Sequence, residues 1–351
     1  MKVAIVGTKV PIPRNFGTRT LVRAESGMKV AIVGTKVPIP RKFSEPILQC
    51  GLCVLKIEKE EINMKIAIVG LGGVGGYLAA SFAKSGLHVT GFARGKHLEA
   101  IQKEGITIKE DETQWSIPLH VSTLEGAEGY FDIVMFCVKS YDLQASCKAL
   151  KNRINANSIL LSFSNGVNNG DMLREYCNGR VLDACMYILA HREAPGVIRK
   201  KGKVFAALFG GEDAEAVATV AQLFTQAALR YKTPQNIKEA LYKKYIFIAA
   251  FATLTTYYNT TIGEIYEKHY DEAKKLLREI AEFAKESEGL ELFDEVQKSL
   301  ETARKVPYDS TTSMWLDFKN GKKTELESLS GYVQKPFMQK LYNELKKREK
   351  E

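Results

Sequence analysis

Residues 64–76 read Met-Lys-Ile-Ala-Ile-Val-Gly-Leu-Gly-Gly-Val-Gly-Gly, a short apolar strand running straight into a glycine-rich turn. Gly70, Gly72 and Gly75 stand at G-x-G-x-x-G spacing, and residues 77–85 continue as a predicted helix. Each glycine has a separate task. Gly70 permits the tight turn, Gly72 lets the backbone approach a pyrophosphate, and Gly75 lets helix and strand pack closely. The phosphates then sit at the helix N-terminus, where free N–H groups and the helix dipole favour negative charge. A strand before the glycines and a helix after them are the context the pattern needs. Gly70, Leu71, Gly72, Gly73, Val74 and Gly75 are therefore read as a dinucleotide-binding turn.

The same opening occurs twice upstream. Met1–Arg14 and Met28–Arg41 are identical, but Gly7 and Gly34 are followed by Thr-Lys-Val-Pro, without further glycines. Pro11, Pro13, Pro38 and Pro40 block the helix that should follow, so these copies form no phosphate-binding turn of this type. Residues 1–63 are expected to be a duplicated N-terminal extension, non-native or disordered, with the functional chain starting at Met64. The extension holds eleven Lys/Arg against five Glu, whereas the remainder is nearly balanced. The net charge of +9 is thus no argument for a nucleic-acid partner. Cys50 and Cys53 form a C-x-x-C with no second pair to complete a zinc site, and no metal is expected.

From Met64 to about Tyr231, short apolar runs alternate with amphipathic helices, the signature of a parallel sheet covered by helices. Strands are predicted at 65–69, 88–93, 131–138, 158–163 and 204–209. Long helices follow at 237–258, 270–288, 291–304 and 335–347. The expected organisation is a Rossmann-type domain over 64–234 and an all-helical domain over 235–351. The longest apolar run, residues 245–254, is too short to span a bilayer. Four single cysteines suit reduced thiols in a cytoplasm.

Arg94 follows the second strand, nineteen residues after Gly75, where NAD enzymes usually carry an acid for the ribose 2′-hydroxyl. Between Gly86 and Lys96 there is no Asp or Glu, so Arg94 is read as the partner of a 2′-phosphate, with Lys96 and His97 assisting. The cofactor expected is NADPH.

The Gly70–Gly75 fingerprint, Arg94, Val138-Lys139, Ser164-Asn165-Gly166-Val167, Leu241-Tyr-Lys-Lys244 and Ser313-Met314 … Thr324-Glu325-Leu326 form an ordered series. Together they resemble the ketopantoate reductase (2-dehydropantoate 2-reductase) family over residues 64–351. The resemblance implies NADPH-dependent reduction of 2-dehydropantoate to pantoate. It implies that Lys244 donates the proton, that Glu325 supports this lysine and binds the substrate hydroxyl, and that Ser313 helps to hold the substrate carboxylate. Lys139 and Asn165 would contact both cofactor and substrate, and a homodimer would be usual. By residue pattern alone, Lys243 and Lys244 read as a solvated pair and Glu325 as a routine helix glutamate.

One departure bears on the substrate. The family has asparagines one and two turns after the catalytic lysine, where this chain has Ile248 and Ala252. Sites built to bind a hydroxyl discriminate strongly through such groups, so a different 2-oxo acid is the alternative expectation. A catalytically silent NADP-binding protein is the second alternative.

Overall fold

The computed structural model describes residues 20–23, 29–33, 48–50, 53–57 and 64–349, and the chain divides into units Met1–Ile62 and Asn63–Glu351. In the first unit four strands, β1 (Thr20–Arg23), β2 (Lys29–Val33), β3 (Leu48–Cys50) and β4 (Cys53–Ile57), form an antiparallel sheet in the order β1-β2-β4-β3. Cys50 and Cys53 are backbone partners in the β3–β4 pair, and their side chains lie outside what is described. The expectation that 1–63 is non-native or disordered concerns residues that lie mostly outside the described ones.

The second unit begins with β5 (Lys65–Val69), whose side chains after Lys65 are buried, then α1 (Gly73–Lys84), β6 (His88–Phe92) and α2 (Gly95–Glu104). A hairpin of β7 (Ile106–Glu110) and β8 (Thr113–Ile117) precedes β9 (His120–Ser122), β10 (Ile133–Phe136), α3 (Ser140–Leu150), β11 (Ile159–Ser162) and α4 (Asn169–Tyr176). The long strands β12 (Arg180–Ala194) and β13 (Val197–Gly210), then α5 (Ala214–Gln226) and β14 (Tyr231–Lys232), complete the sheet region. Its strand order is β8-β7-β13-β12-β11-β10-β5-β6-β9, with β14 beside β13.

The run from β12 to β9 is parallel, as the alternating pattern predicts, but the whole sheet is mixed. The predicted strand at 204–209 lies in β13, which runs antiparallel to β12. Only two residues, Pro195 and Gly196, join the two strands, and a connection that short forces an antiparallel pair. The sheet curls around α1, which touches β5 and β6 toward one end of the sheet and β12, β13, β7 and β8 toward the other. At Gly73 a side chain would collide with the Ala190 carbonyl of β12, so glycine is what lets the hairpin cross the start of α1.

The remainder is helical, built around α6 (Ile237–Tyr258). This helix is buried on most of its circumference, including Tyr242, Tyr245, Ile246 and the run 249–256, as expected of a central helix. Around it pack α7 (Ile262–Lys268), α8 (Tyr270–Glu288), α9 (Asp294–Lys305), α10 (Ser313–Lys319), a π-helical turn (Glu327–Gly331) and α11 (Pro336–Arg348). On α8 the buried residues Ala273, Leu276, Leu277, Ile280, Ala281 and Ala284 follow the three- and four-residue spacing of one helix face. Because α6 also touches β12 and β13, it joins the sheet to the helical part. Among the described residues no helix is long and apolar enough to cross a membrane.

Candidate active site

Strand order decides which residues meet. β6, β5, β10 and β11 are adjacent and parallel, so the segments leaving their carboxyl ends lie side by side. These segments carry Arg94, the glycine turn, Lys139 and Asn165. Three strand spacings of about 4.8 Å put roughly 14 Å between the outermost two, a span suited to an extended dinucleotide. Ligands of open α/β sheets bind along this edge.

The glycine turn has the form its sequence demands. Gly70 adopts φ +91°, and a side chain there would lie 2.8 Å from Val138 Cγ1. At Gly75 a side chain would collide with the Gly70 carbonyl oxygen and stand 2.8 Å from Cys137 Cβ. Helix and strands therefore meet closely just before Lys139. Gly72 is exposed, and nothing lies within 4 Å of where its side chain would be. It is the N-cap of α1, no side chain caps its amides, and the first turn carries no acid. This is a cradle that fits a pyrophosphate. Leu71, by contrast, is buried, and its carbonyl is bonded to His97. Gly72→Ala should leave the melting temperature within about 1 °C and weaken dinucleotide binding tenfold or more, whereas Gly75→Ala should unfold or misfold. Thermal melts and dinucleotide titration distinguish the two.

Arg94 is exposed at the start of α2, and its guanidinium donates to Asp142 Oδ2 at 3.0 Å. Asp142 belongs to the first turn of α3, so the fold supplies an acid that the local sequence lacks. An exposed pair of this kind is worth about 0–1 kcal/mol and yields to a phosphate. His97 does not assist Arg94. It is 4 % exposed, and both its ring nitrogens are engaged by backbone groups.

Two lysines stand in contrasting surroundings. Lys139 Nζ lies 3.1 Å from Glu325 Oε2 and 2.9 Å from Asp317 Oδ2. The other oxygen of Glu325 accepts from the Ser140 amide at 3.2 Å, so this buried carboxylate caps α3 from across the molecule. Burial pulls the Lys139 ammonium down, but Glu325 and Asp317 outweigh it and the net shift is upward. Lys139 is a permanent cation.

Lys244 projects from α6 and donates to Asn165 Oδ1 at 3.3 Å, with its ammonium 5.7 Å from the centre of the Tyr187 ring. Burial lowers its pKa, opposed only in part by Cys185 and Glu325. Lys243 instead pairs with Glu239 at 2.5 Å on the outer side, so the two lysines are not one solvated pair. Environments that push two like groups apart in pKa assign them different roles. Lys244 can give up a proton, and Lys139 holds charge.

Glu325, expected to support Lys244, acts on it only through its charge, which opposes the lowering of the lysine's pKa. Among the described residues its carboxylate oxygens bond Lys139 and the Ser140 amide. The π-helical turn that follows Glu325 is fixed to α6 by Tyr245, the neighbour of Lys244, whose hydroxyl donates to the Ser328 and Leu329 carbonyls. The loop carrying Asn165 is held by Asn169, whose amide donates to the carbonyls of Ser164, Asn165 and Gly166. Ser164 in turn donates to the Val138 carbonyl beside Lys139.

Ser313 is exposed at the start of α10, one turn before Asp317 and so on the same helix face. Its neighbour Thr312 bonds Thr255 of α6 at 2.9 Å. Lys244, Ile248, Ala252 and Thr255 share one face of α6, on which Ile248 is half-buried against the helical core and Ala252 lies within it. Asn259 does not compensate for them. It caps the end of α6 and accepts from Trp315 Nε1 at 2.9 Å. Asp317 and Asp142 are the polar partners missed by local reading, since each reaches its lysine or arginine through tertiary contact alone. Among the described residues no cluster could hold a metal ion.

Residues 66–210 match the family profile described as ketopantoate reductase PanE/ApbA, and residues 236–337 match its C-terminal counterpart. The chain belongs to the ketopantoate reductase family. It is 28 % identical over 277 residues to the uncharacterized oxidoreductase YkpB of Bacillus subtilis, covering 77 % of this chain and 91 % of that one. The crystal structure of 2-dehydropantoate 2-reductase from Porphyromonas gingivalis W83 is 30 % identical, with a TM-score of 0.70 over 80 % of this chain and 99 % of that one. D-Mandelate dehydrogenase, solved with NADH and anilino(oxo)acetate, shares the fold at 20 % identity, with a TM-score of 0.74 over 82 % and 99 %. The family consists of oxidoreductases whose reaction type is reduction of a 2-oxo acid.

Proposed function

We propose that this ketopantoate reductase family member catalyses NADPH-dependent reduction of 2-dehydropantoate to pantoate, a step toward pantothenate. The observation that carries the reading is the opposed pair of lysines at one sheet edge, Lys244 desolvated beside Asn165 and Lys139 fixed as a cation by Glu325 and Asp317. The nicotinamide, when bound, supplies hydride to the carbonyl carbon. Lys244 holds the proton that the carbonyl oxygen gains, and the partly desolvated site makes its ammonium a stronger acid than one in water. Asn165 fixes the direction of that ammonium. Lys139 offers permanent positive charge to anionic groups of substrate and cofactor, and Ser313 supplies a hydroxyl for the substrate carboxylate. Gly72, Gly73 and Val74 present the start of α1 to the pyrophosphate. The free thiols of Cys137, Cys147, Cys177 and Cys185 suit a cytoplasmic enzyme. A homodimer without nucleic-acid or membrane partners belongs to the same proposal.

Arg94 carries the preference for NADPH in this reading. Arg94→Ala should raise the KM for NADPH about 10- to 100-fold, the worth of one or two charge-assisted hydrogen bonds, and change that for NADH by less than about twofold. Equal effects on both cofactors would contradict it.

A second reading keeps the chemistry and changes the substrate. Ile248 and Ala252 offer the substrate side chain no hydrogen bond, which favours a 2-oxo acid with an apolar side chain over the hydroxyl-bearing 2-dehydropantoate. Following NADPH oxidation with 2-dehydropantoate and a series of branched and aromatic 2-oxo acids separates the two by kcat/KM. A substrate favoured by about tenfold or more identifies the better reading.

A further inference from the structure

We propose that His97 is a positioning residue for the cofactor, a neutral clamp that holds the glycine-rich turn in its anion-accepting shape. The inference rests on the reading of that turn as a dinucleotide site. His97 Nε2 lies 2.7 Å from the Leu71 carbonyl, and the Gly196 amide meets Nδ1 at 2.9 Å. A backbone N–H can only donate, so Nδ1 must be the acceptor. The ring proton is therefore on Nε2, where it donates to Leu71. Only this neutral tautomer satisfies both bonds, because an imidazolium would set a ring N–H against the Gly196 N–H.

What the ring joins gives it a function beyond filling space. Leu71 lies between Gly70 and Gly72, and its side chain is buried against Gly91, where an added side chain would come within 2.7 Å of Leu71 Cδ1. Gly196, at φ +75°, closes the turn between β12 and β13. That hairpin passes over the start of α1, with the Ala190 carbonyl against Gly73. One imidazole on α2 thus ties the dinucleotide turn to the strand that crosses the same helix end. With the Leu71 carbonyl drawn toward His97, the turn keeps its amides for the ligand.

The test compares wild type, His97→Leu and His97→Gln by NADPH fluorescence titration, thermal melts, and KM for the 2-oxo acid at saturating NADPH. His97→Leu should raise the NADPH Kd about tenfold or more, as expected for the loss of buried hydrogen bonds at the turn. The 2-oxo acid KM and kcat at saturation should stay within about twofold. His97→Gln, which keeps one donor and one acceptor, should recover most of the affinity. An unchanged NADPH Kd in folded His97→Leu overturns the proposal. If that variant does not fold, imidazole 15N chemical shifts of the wild type decide. An Nε2-protonated neutral ring supports the clamp, and an Nδ1-protonated or cationic ring at neutral pH overturns it. Failure of the wild type to bind either NADPH or NADH would overturn the cofactor reading instead.

Discussion

Lys244→Ala should lower kcat by about 10²- to 10⁴-fold, the usual worth of a positioned general acid, with NADPH binding unchanged within about twofold. The separation is expected because the ammonium bonds Asn165, which follows β11, whereas the glycine turn follows β5, with β10 between the two strands. The pH profile supplies a second check. Lys244 must carry its proton in order to donate it, so kcat for reduction holds at low pH and falls as pH rises through the lysine's pKa. Burial sets that pKa below the ordinary lysine value of about 10.4. The reverse oxidation, which needs the neutral amine, should gain across the same interval. Lys243→Ala removes only a surface pair with Glu239 and should leave both profiles intact.

Glu325→Ala should cost about 3 kcal/mol of stability, at the low end for one partner lost from a buried ion pair. The carboxylate side chain is 2 % exposed and bonds both Lys139 and the amide at the start of α3. The cost is limited because Lys139 is about a third exposed and keeps Asp317. A Lys139 ammonium no longer held by Glu325 should also raise the KM for the 2-oxo acid more than it lowers kcat, since proton donation rests on Lys244. Denaturant unfolding and steady-state kinetics on one preparation measure both effects. A loss of kcat matching that of Lys244→Ala, with stability unchanged, would place Glu325 in proton transfer instead.

The two carboxylates around Lys139 mark where local reading stops. Periodicity predicts β5, β6, β10 and β11, because buried parallel strands are short, nearly continuous apolar runs. It also predicts α6, α8 and α11, long enough to display a helical repeat. The seven-residue helices α7 and α10 are too short for one, and α10 carries Asp317. β12 escapes the same reading, and β13 is caught only at its apolar end, 204–209, because polar residues enter both strands toward the hairpin end and the β7 partner of β13 lies far away in sequence. Asp142 was invisible as a partner of Arg94 because the two are 48 residues apart and meet only when β6 and β10 flank β5. Glu325 could be placed in the site by its motif, but its partner could not. Which lysine it bonds depends on how the helical part docks on α3.

His97 differs from what its place in the sequence suggests. A histidine three residues after an arginine, at the start of a helix, reads as a second cation for a phosphate. Its burial and two backbone partners make it neutral and structural to the turn. A histidine whose Nδ1 accepts from an amide cannot also be a cation.

Everything proposed for this site reduces to one chemical event, transfer of hydride from the nicotinamide to C2 of a 2-oxo acid while Lys244 supplies the proton. NADPH carrying deuterium at the transferable position of C4, turned over with 2-dehydropantoate and with apolar 2-oxo acids, tests it by mass spectrometry of the product. The account predicts a 2-hydroxy acid with a single deuterium at C2 from wild type and almost none formed by Lys244→Ala. A protein that binds NADPH yet forms no deuterated 2-hydroxy acid from any of them would contradict it.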